Sequence, residues 1–84
     1  MCYVYILRCS DNTFYTGWTN NLKKRIDSHQ NGKASKYTRS RLPVTLVYFE
    51  EHNNKVCAQK REYQIKQMTR AEKTRLIESQ KSND

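Results

Sequence analysis

Apolar positions open the chain as a block. Cys2 to Cys9 is rich in Tyr, Val, Ile and Leu and alternates only weakly, the pattern of a buried strand. Ser10-Asp11-Asn12 interrupts it. Asn tolerates the left-handed conformation that closes a three-residue hairpin loop. Thr13 to Trp18 then reads as the return strand. The loop length decides which side chains share a face. With three loop residues, Cys9 faces Thr13, Leu7 faces Tyr15 and Tyr5 faces Gly17, so Tyr5 and Tyr15 lie on the same side of the sheet. A two-residue loop would put them on opposite sides.

The period then changes. Leu22, Arg25, Ile26 and His29 recur at i, i+3, i+4 and i+7, the stripe of a helix. Thr19 or Asn20 is its expected cap, and Gly32 stops it after about Asn31. The stripe that should pack on the sheet therefore carries Arg25 and His29, while Lys23, Lys24, Asp27 and Ser28 face away. Gly32 to Pro43 reads as a loop. Val44 to Glu50 is a third strand, broken by His52-Asn53-Asn54. A helix is expected from about Asn54 to Met68, with Cys57, Ala58, Ile65 and Met68 as its apolar stripe and Glu62 at one edge. Arg61 falls near the middle of that stripe, with no reason visible in the sequence. Thr69-Arg70-Ala71-Glu72 has the capping-box pattern, so a last helix begins there, with Leu76 and Ile77 as its apolar face. Hairpin-linked strands with helices alongside predict an α+β domain, a small antiparallel three-stranded sheet in the order β-β-α-β-α-α. One domain is expected over residues 1–78, with residues 79–84 as a frayed tail.

Composition narrows the class. No run approaches the roughly 18 apolar residues of a membrane span, and the start does not read as a secretory signal. Cys2, Cys9 and Cys57 are odd in number and widely spaced, with neither a CxxC pair nor a zinc pattern. They read as small buried hydrophobes kept reduced in a cytoplasmic protein. Sixteen Lys and Arg against eight Asp and Glu give a formal net charge of +8. That balance favours a polyanionic partner, nucleic acid before a membrane surface, because no helix pairs a basic face with a wide apolar one.

Tyr3-Val4-Tyr5 and Tyr15-Thr16-Gly17, followed by Arg25, His29 and Glu62, resemble the GIY-YIG nuclease family. The two tripeptides stand in the places of the motifs that name it. The likeness runs from about Cys2 to about Ile77. It is strongest to the small stand-alone bacterial members, through Gly32-Lys33-Ala34-Ser35-Lys36-Tyr37-Thr38-Arg39 and Arg61-Glu62-Tyr63-Gln64-Ile65-Lys66. The resemblance implies a metal-dependent endonuclease that hydrolyses phosphodiester bonds in DNA, with a role in repair or recombination. It implies a catalytic set of Tyr5, Tyr15, Arg25, His29 and Glu62, with Glu62 as ligand of one Mg²⁺ or Mn²⁺ ion.

Phosphodiester hydrolysis needs a deprotonated water, stabilised charge on phosphorus and a neutralised leaving oxygen. Tyr5 and Tyr15 answer the first need, if a nearby cation favours the phenolate. The fork of Arg25 answers the second. A single carboxylate with waters around one Mg²⁺ answers the third. His29 suits phosphate contact, proton transfer or a hydrogen bond holding Tyr5. Each residue alone also has an ordinary structural reading: packed rings, a snorkelling arginine, a satisfied histidine, a glutamate paired with Lys66. Gly17, lacking a Cβ, allows close approach of backbone or substrate. Trp18 suits base stacking or packing beneath the first helix.

Many family members are fused to a recognition domain, and none is seen here. Two other readings therefore stand beside the enzyme: a non-catalytic nucleic-acid-binding module, and a subunit that needs a protein partner. Lys33, Lys36, Tyr37, Arg39 and Arg41, with Gly17, form the expected nucleic-acid-binding set. Binding through them should weaken steeply with salt, as released counterions dictate. Changing Lys33, Lys36, Arg39 and Arg41 to glutamate should lower the affinity for every DNA sequence tested, read by fluorescence anisotropy. An unchanged affinity would place the contact elsewhere.

Overall fold

The structure, a computed structural model, describes residues 1–81. Strand β1 (Cys2–Arg8) is the centre of an antiparallel three-stranded sheet, flanked by β2 (Phe14–Thr19) and β3 (Thr45–His52) in the order β2-β1-β3. Helices α1 (Leu22–Gln30) and α2 (Lys36–Arg39) come between β2 and β3, and α3 (Lys55–Lys66) and α4 (Arg70–Lys81) follow. The expected α+β class and order are those observed, with one short helix added.

The hairpin closes as its loop chemistry requires. Asn12 sits at φ 68°, the left-handed region. The Cys9 N–H donates to the Thr13 carbonyl at 2.8 Å, and the Asn12 N–H to that of Cys9 at 2.9 Å. The Asp11 carboxylate accepts from the Thr13 hydroxyl at 2.6 Å, which fixes the turn from within. The register follows: Leu7 pairs with Tyr15 and Tyr5 with Gly17. On the other side of β1, Ile6 pairs with Tyr48 and Leu7 with Leu46, so Val47 is the extra residue of a bulge.

Alternation along β1 builds two cores. Val4 and Ile6 pack with Tyr48, Ala58, Ile65 and Ile77, beneath α3 and α4. Tyr5 and Leu7 pack with Cys9 and Val44, and Leu22 and Ile26 of α1 cover them. Trp18 pairs with Val4 and joins the α3 side, not the α1 side expected from sequence. Period-2 geometry requires this, because Gly17 before it faces the way Tyr5 does.

Several boundaries move for local reasons. Asn21, not Thr19 or Asn20, caps α1: its side chain accepts from the Lys24 N–H, while the Thr19 hydroxyl accepts from the Asn21 N–H. Gly32 supplies the stop at φ 73°. The expected loop after it contains α2, started by Ser35, whose hydroxyl accepts from the Tyr37 N–H. Strand β3 continues past Glu50 to His52. The capping box forms: Thr69 N–H donates to the Glu72 carboxylate, and Glu72 N–H to the Thr69 hydroxyl. Helix α4 runs to Lys81, past the expected tail at 79, because Gln80 bonds both the N–H and the carbonyl of Phe49 on the outer strand. The remainder of that tail, 82–84, lies outside the described residues. Of the thiols, Cys9 is buried, Cys2 half-buried and Cys57 exposed, so Cys57 leaves the apolar stripe assigned to it.

Arg61 has its reason in β3. Its Nε donates to Glu50 at 2.9 Å, and Glu50 also accepts from the Tyr48 hydroxyl and meets His52 Nε2 at 2.8 Å. Burial works against the Glu50 charge, but the bonds from Tyr48, Arg61 and His52 outweigh it and hold the carboxyl below its usual range. Burial, with Glu50 adding, pushes the Tyr48 phenol up to about 12. Arg61 thus ties α3 to the outer strand. Arg61→Ala should cost about 1–2 kcal/mol, a charge-assisted bond discounted for partial exposure, measured by urea unfolding.

Candidate active site

One concavity, about 360 Å³ in volume, is lined by Tyr5, Tyr15, Gly17, Trp18, Thr19, Asn20, Arg25 and Glu62. It wraps around edge strand β2. Tyr5 and Tyr15 belong to the α1 side of the sheet, Trp18 and Glu62 to the α3 side, and the two meet where β2 has no outer neighbour.

Gly17 makes this possible. A Cβ built on it would stand 2.5 Å from the Tyr5 hydroxyl and 2.7 Å from Tyr5 Cζ, closer than real side chains approach. The missing side chain lets the ring of Tyr5 lie across β2, so a residue of the central strand reaches the edge. Gly17 therefore accommodates the protein's own tyrosine, where sequence placed it against nucleic acid.

The Tyr5 hydroxyl meets His29 Nε2 at 2.8 Å, and His29 Nδ1 meets Thr38 Oγ1 at 2.9 Å. All three side chains are buried. The Thr38 hydroxyl also reaches the Ser35 carbonyl at 3.4 Å. The four-residue helix α2 closes the chain of bonds: Ser35 caps it, and Thr38 is its buried residue. Thr38 was missed in sequence. A threonine in a basic, irregular stretch gives no period to read, and its partner His29 is nine residues away. Gln30, also missed, bonds both the N–H and the carbonyl of Val44, fixing the end of α1 on the start of β3.

Electrostatics follow from burial. Desolvation pushes the Tyr5 phenol above the usual tyrosine value, Tyr15 and Glu62 add to this, and Arg25 opposes it. Arg25 is the cation near Tyr5, but burial outweighs it and the resting side chain is a phenol. Desolvation, then the charge of Arg25, lowers His29 to about 4. At neutral pH the histidine is uncharged.

Tyr15 packs edge-on against His29, with ring centroids 5.2 Å apart, and stacks on Tyr37 at 6.0 Å. Arg25 is an exposed member of the α1 stripe, at the wall of the concavity. The Glu62 carboxylate lies 3.7 Å from Lys66 Nζ, with its side chain 20% exposed. Glu62 thus pairs with Lys66, its ordinary structural reading, and also lines the concavity. The basic loop divides. Lys33 lines a neighbouring depression with Lys24 and Arg25. Lys36 and Arg39 are exposed on α2. Arg41 is engaged, bonded to Asp11 at 2.9 Å and lying 3.9 Å above the Tyr37 ring. Among the described residues no three His, Cys, Asp or Glu side chains converge to hold a metal, so Glu62 is the one carboxylate the concavity offers.

The family model described as the GIY-YIG catalytic domain matches residues 1–75. A UPF0213 protein of Clostridium perfringens is 62% identical over 79 residues, which cover 94% of this chain and 85% of that one. One of Oceanobacillus iheyensis is 53% identical over 78 residues, covering 93% and 91%. The solution structure of a UPF0213 protein from Bacillus halodurans has 42% identity and a TM-score of 0.60, covering 93% of this chain and 84% of that chain. With the family model spanning the sheet, Arg25, His29 and Glu62, the chain belongs to the GIY-YIG family.

Proposed function

We propose that the protein is an endonuclease that hydrolyses phosphodiester bonds in DNA, directed by structure rather than sequence. The observation that carries this reading is the meeting of Tyr5, Tyr15, Arg25 and Glu62 in one concavity, with the Tyr5 hydroxyl bonded to His29 beneath it. A site this small has little surface for base readout, so backbone contacts position the substrate.

The hydrogen-bond chain has a direction. The Thr38 hydroxyl donates to the Ser35 carbonyl and so accepts from His29 Nδ1–H. The bare Nε2 then accepts from the Tyr5 hydroxyl. Tyr5 at rest keeps its proton but already aims it at an acceptor. In this reading Tyr5 takes the proton from the attacking water as its own passes to His29. The burial that disfavours a standing phenolate thus leaves a relay available. Tyr15 packs against the imidazole and holds its plane. Arg25 binds the phosphate and opposes the charge that grows on it.

The donor set suits a hard divalent ion. Glu62 gives one carboxylate, and Tyr5, Tyr15, Thr19 and Asn20 surround it with oxygen-bearing groups and no thiol. Mg²⁺ or Mn²⁺, keeping most of its waters, fits one carboxylate better than a closed protein cage would. Bound there, it would supply Lewis-acid stabilisation of the leaving oxygen. The half-exposed Lys66 is a weak competitor for Glu62.

The test is cleavage of single-stranded, duplex, flapped and branched DNA with Mg²⁺ or Mn²⁺. Tyr5→Phe keeps the ring, and Glu62→Gln keeps the size. Each should retain DNA binding and a native circular dichroism spectrum while losing about 10² to 10⁴ in cleavage rate. Wild type that binds but cuts nothing in the panel would make the protein a non-catalytic binding module, or a subunit awaiting its partner. Variants that cut as fast as wild type would show the site to be misassigned.

The lowered His29 pKa gives an independent check of the buried bond chain. The unfolded chain binds a proton at His29 below its ordinary value of about 6.5, whereas the folded chain does so only near 4. The folded state therefore holds fewer protons between these values, and stability falls as pH drops from about 6.5 towards 4. The urea midpoint of wild type should be lower at pH 5 than at pH 7. His29→Gln should lose that difference. A wild-type midpoint independent of pH over this interval would contradict a neutral, buried histidine.

A further inference from the structure

Tyr37 stands outside both hydrophobic cores and is 37% exposed, yet its ring has two defined neighbours. The guanidinium of Arg41 lies 3.9 Å over its centroid. The ring of Tyr15 stacks on it, with centroids 6.0 Å apart and 28° between the planes. Both contacts fall within the range in which they are attractive.

Arg41 is itself held. Its Nε donates to the Asp11 carboxylate at 2.9 Å, and its Nη1 to the Tyr37 carbonyl at 2.9 Å and the Ser40 hydroxyl at 3.1 Å. The Arg41 carbonyl accepts from the Ser10 N–H at 2.9 Å. Ser10 and Asp11 belong to the turn between β1 and β2. An exposed ion pair alone holds a side chain weakly. A planar fork with three acceptors and an aromatic ring against it has its plane defined. The turn that leads into β2 therefore fixes a guanidinium on the far side of α2, and the guanidinium fixes Tyr37.

This row of contacts ends at the candidate site. Tyr15 lines the concavity, and two ring contacts orient it, His29 edge-on at 5.2 Å and Tyr37. The two are unequal. His29 is buried and hydrogen-bonded at both nitrogens, so its plane is set from within. Tyr37 stands at the surface and is not among the residues that line the concavity, so its influence there passes through Tyr15.

We propose that Tyr37, clamped by Arg41 and Asp11, is a positioning residue that fixes the angle at which the Tyr15 hydroxyl enters the concavity. Its consequence for the reaction rests on the nuclease reading. The assignment also moves Tyr37 and Arg41 out of the nucleic-acid-binding set in which sequence placed them.

The experiment compares Tyr37→Leu, which removes the ring, with Tyr37→Phe, which keeps it. Neither changes the net charge. The first readout needs no substrate. In aromatic NMR spectra of isotope-labelled protein, cross-relaxation between the Tyr15 and His29 rings should weaken in Tyr37→Leu and return in Tyr37→Phe. Arg41→Gln, which keeps the Tyr37 ring but removes its clamp, should weaken it too. The second readout is kinetic. On the DNA that wild type cuts, Tyr37→Leu should lower kcat on the order of 10- to 10²-fold, the cost of a small misplacement of a reacting group, with KM near that of wild type. Tyr37→Phe should recover most of that loss. A residue that only stabilises the fold would instead lower the urea midpoint and leave the kcat of the folded protein alone. Unchanged Tyr15–His29 cross-peaks in Tyr37→Leu overturn the proposal. So does a wild-type kcat in that variant, or a raised KM at wild-type kcat, which would make Tyr37 a substrate contact. Wild type that cuts nothing in the panel defeats the nuclease reading, and the NMR comparison then decides by itself whether Tyr37 places Tyr15.

Discussion

The ring of Tyr5 lies across Gly17, and the site depends on that contact. A tyrosine on the central strand of a three-stranded sheet would ordinarily end inside the core. Here the neighbouring strand has no side chain at the paired position, so the ring extends over it and its hydroxyl comes to the edge. Any Cβ at residue 17 would drive the hydroxyl away from His29. The hairpin loop of three residues, with Asn12 in the left-handed region, sets the register that places these two residues opposite each other. One turn therefore determines which side chain reaches the concavity.

Burial then sets the chemistry. Tyr5, His29 and Thr38 are removed from water and satisfy one another in sequence, ending on the backbone carbonyl of Ser35. Low polarity favours the uncharged form of each group, so the phenol and the imidazole are both neutral at rest. The charged groups, Arg25 and Glu62, stand outside this chain at the wall of the concavity. The arrangement separates a buried, uncharged hydrogen-bond chain from charged groups that line the open concavity.

The same division appears in the scaffold. Alternation on β1 gives one core beneath α3 and α4 and another beneath α1. Each helix group brings one part of the site to the strand edge: α1 carries Arg25 and His29, and α3 carries Glu62. The Glu50 cluster with Tyr48, His52 and Arg61 anchors α3 to the outer strand, so the position of Glu62 rests on an ion pair at the opposite edge of the sheet. Gln80 does the corresponding work for α4, occupying the open backbone of Phe49.

Much of this was legible in the chain. Hydrophobic period and turn residues specify the hairpin, its register, the α1 stripe, the last capping box and the α+β class, because these are local matters of spacing and backbone preference. The five residues from Tyr5 to Glu62 were visible through their likeness to a family. Their meeting was not visible. The step from β2 to α3 depends on how two faces of a sheet wrap its edge, and no spacing encodes that. Thr38 and Gln30 were illegible for the same reason: each acts through one distant partner, and a single polar contact leaves no periodic trace. Arg61 shows the limit from the other side. Sequence placed a charge in an apolar stripe, and only the packing of α3 against β3 supplied the carboxylate that makes it stable there.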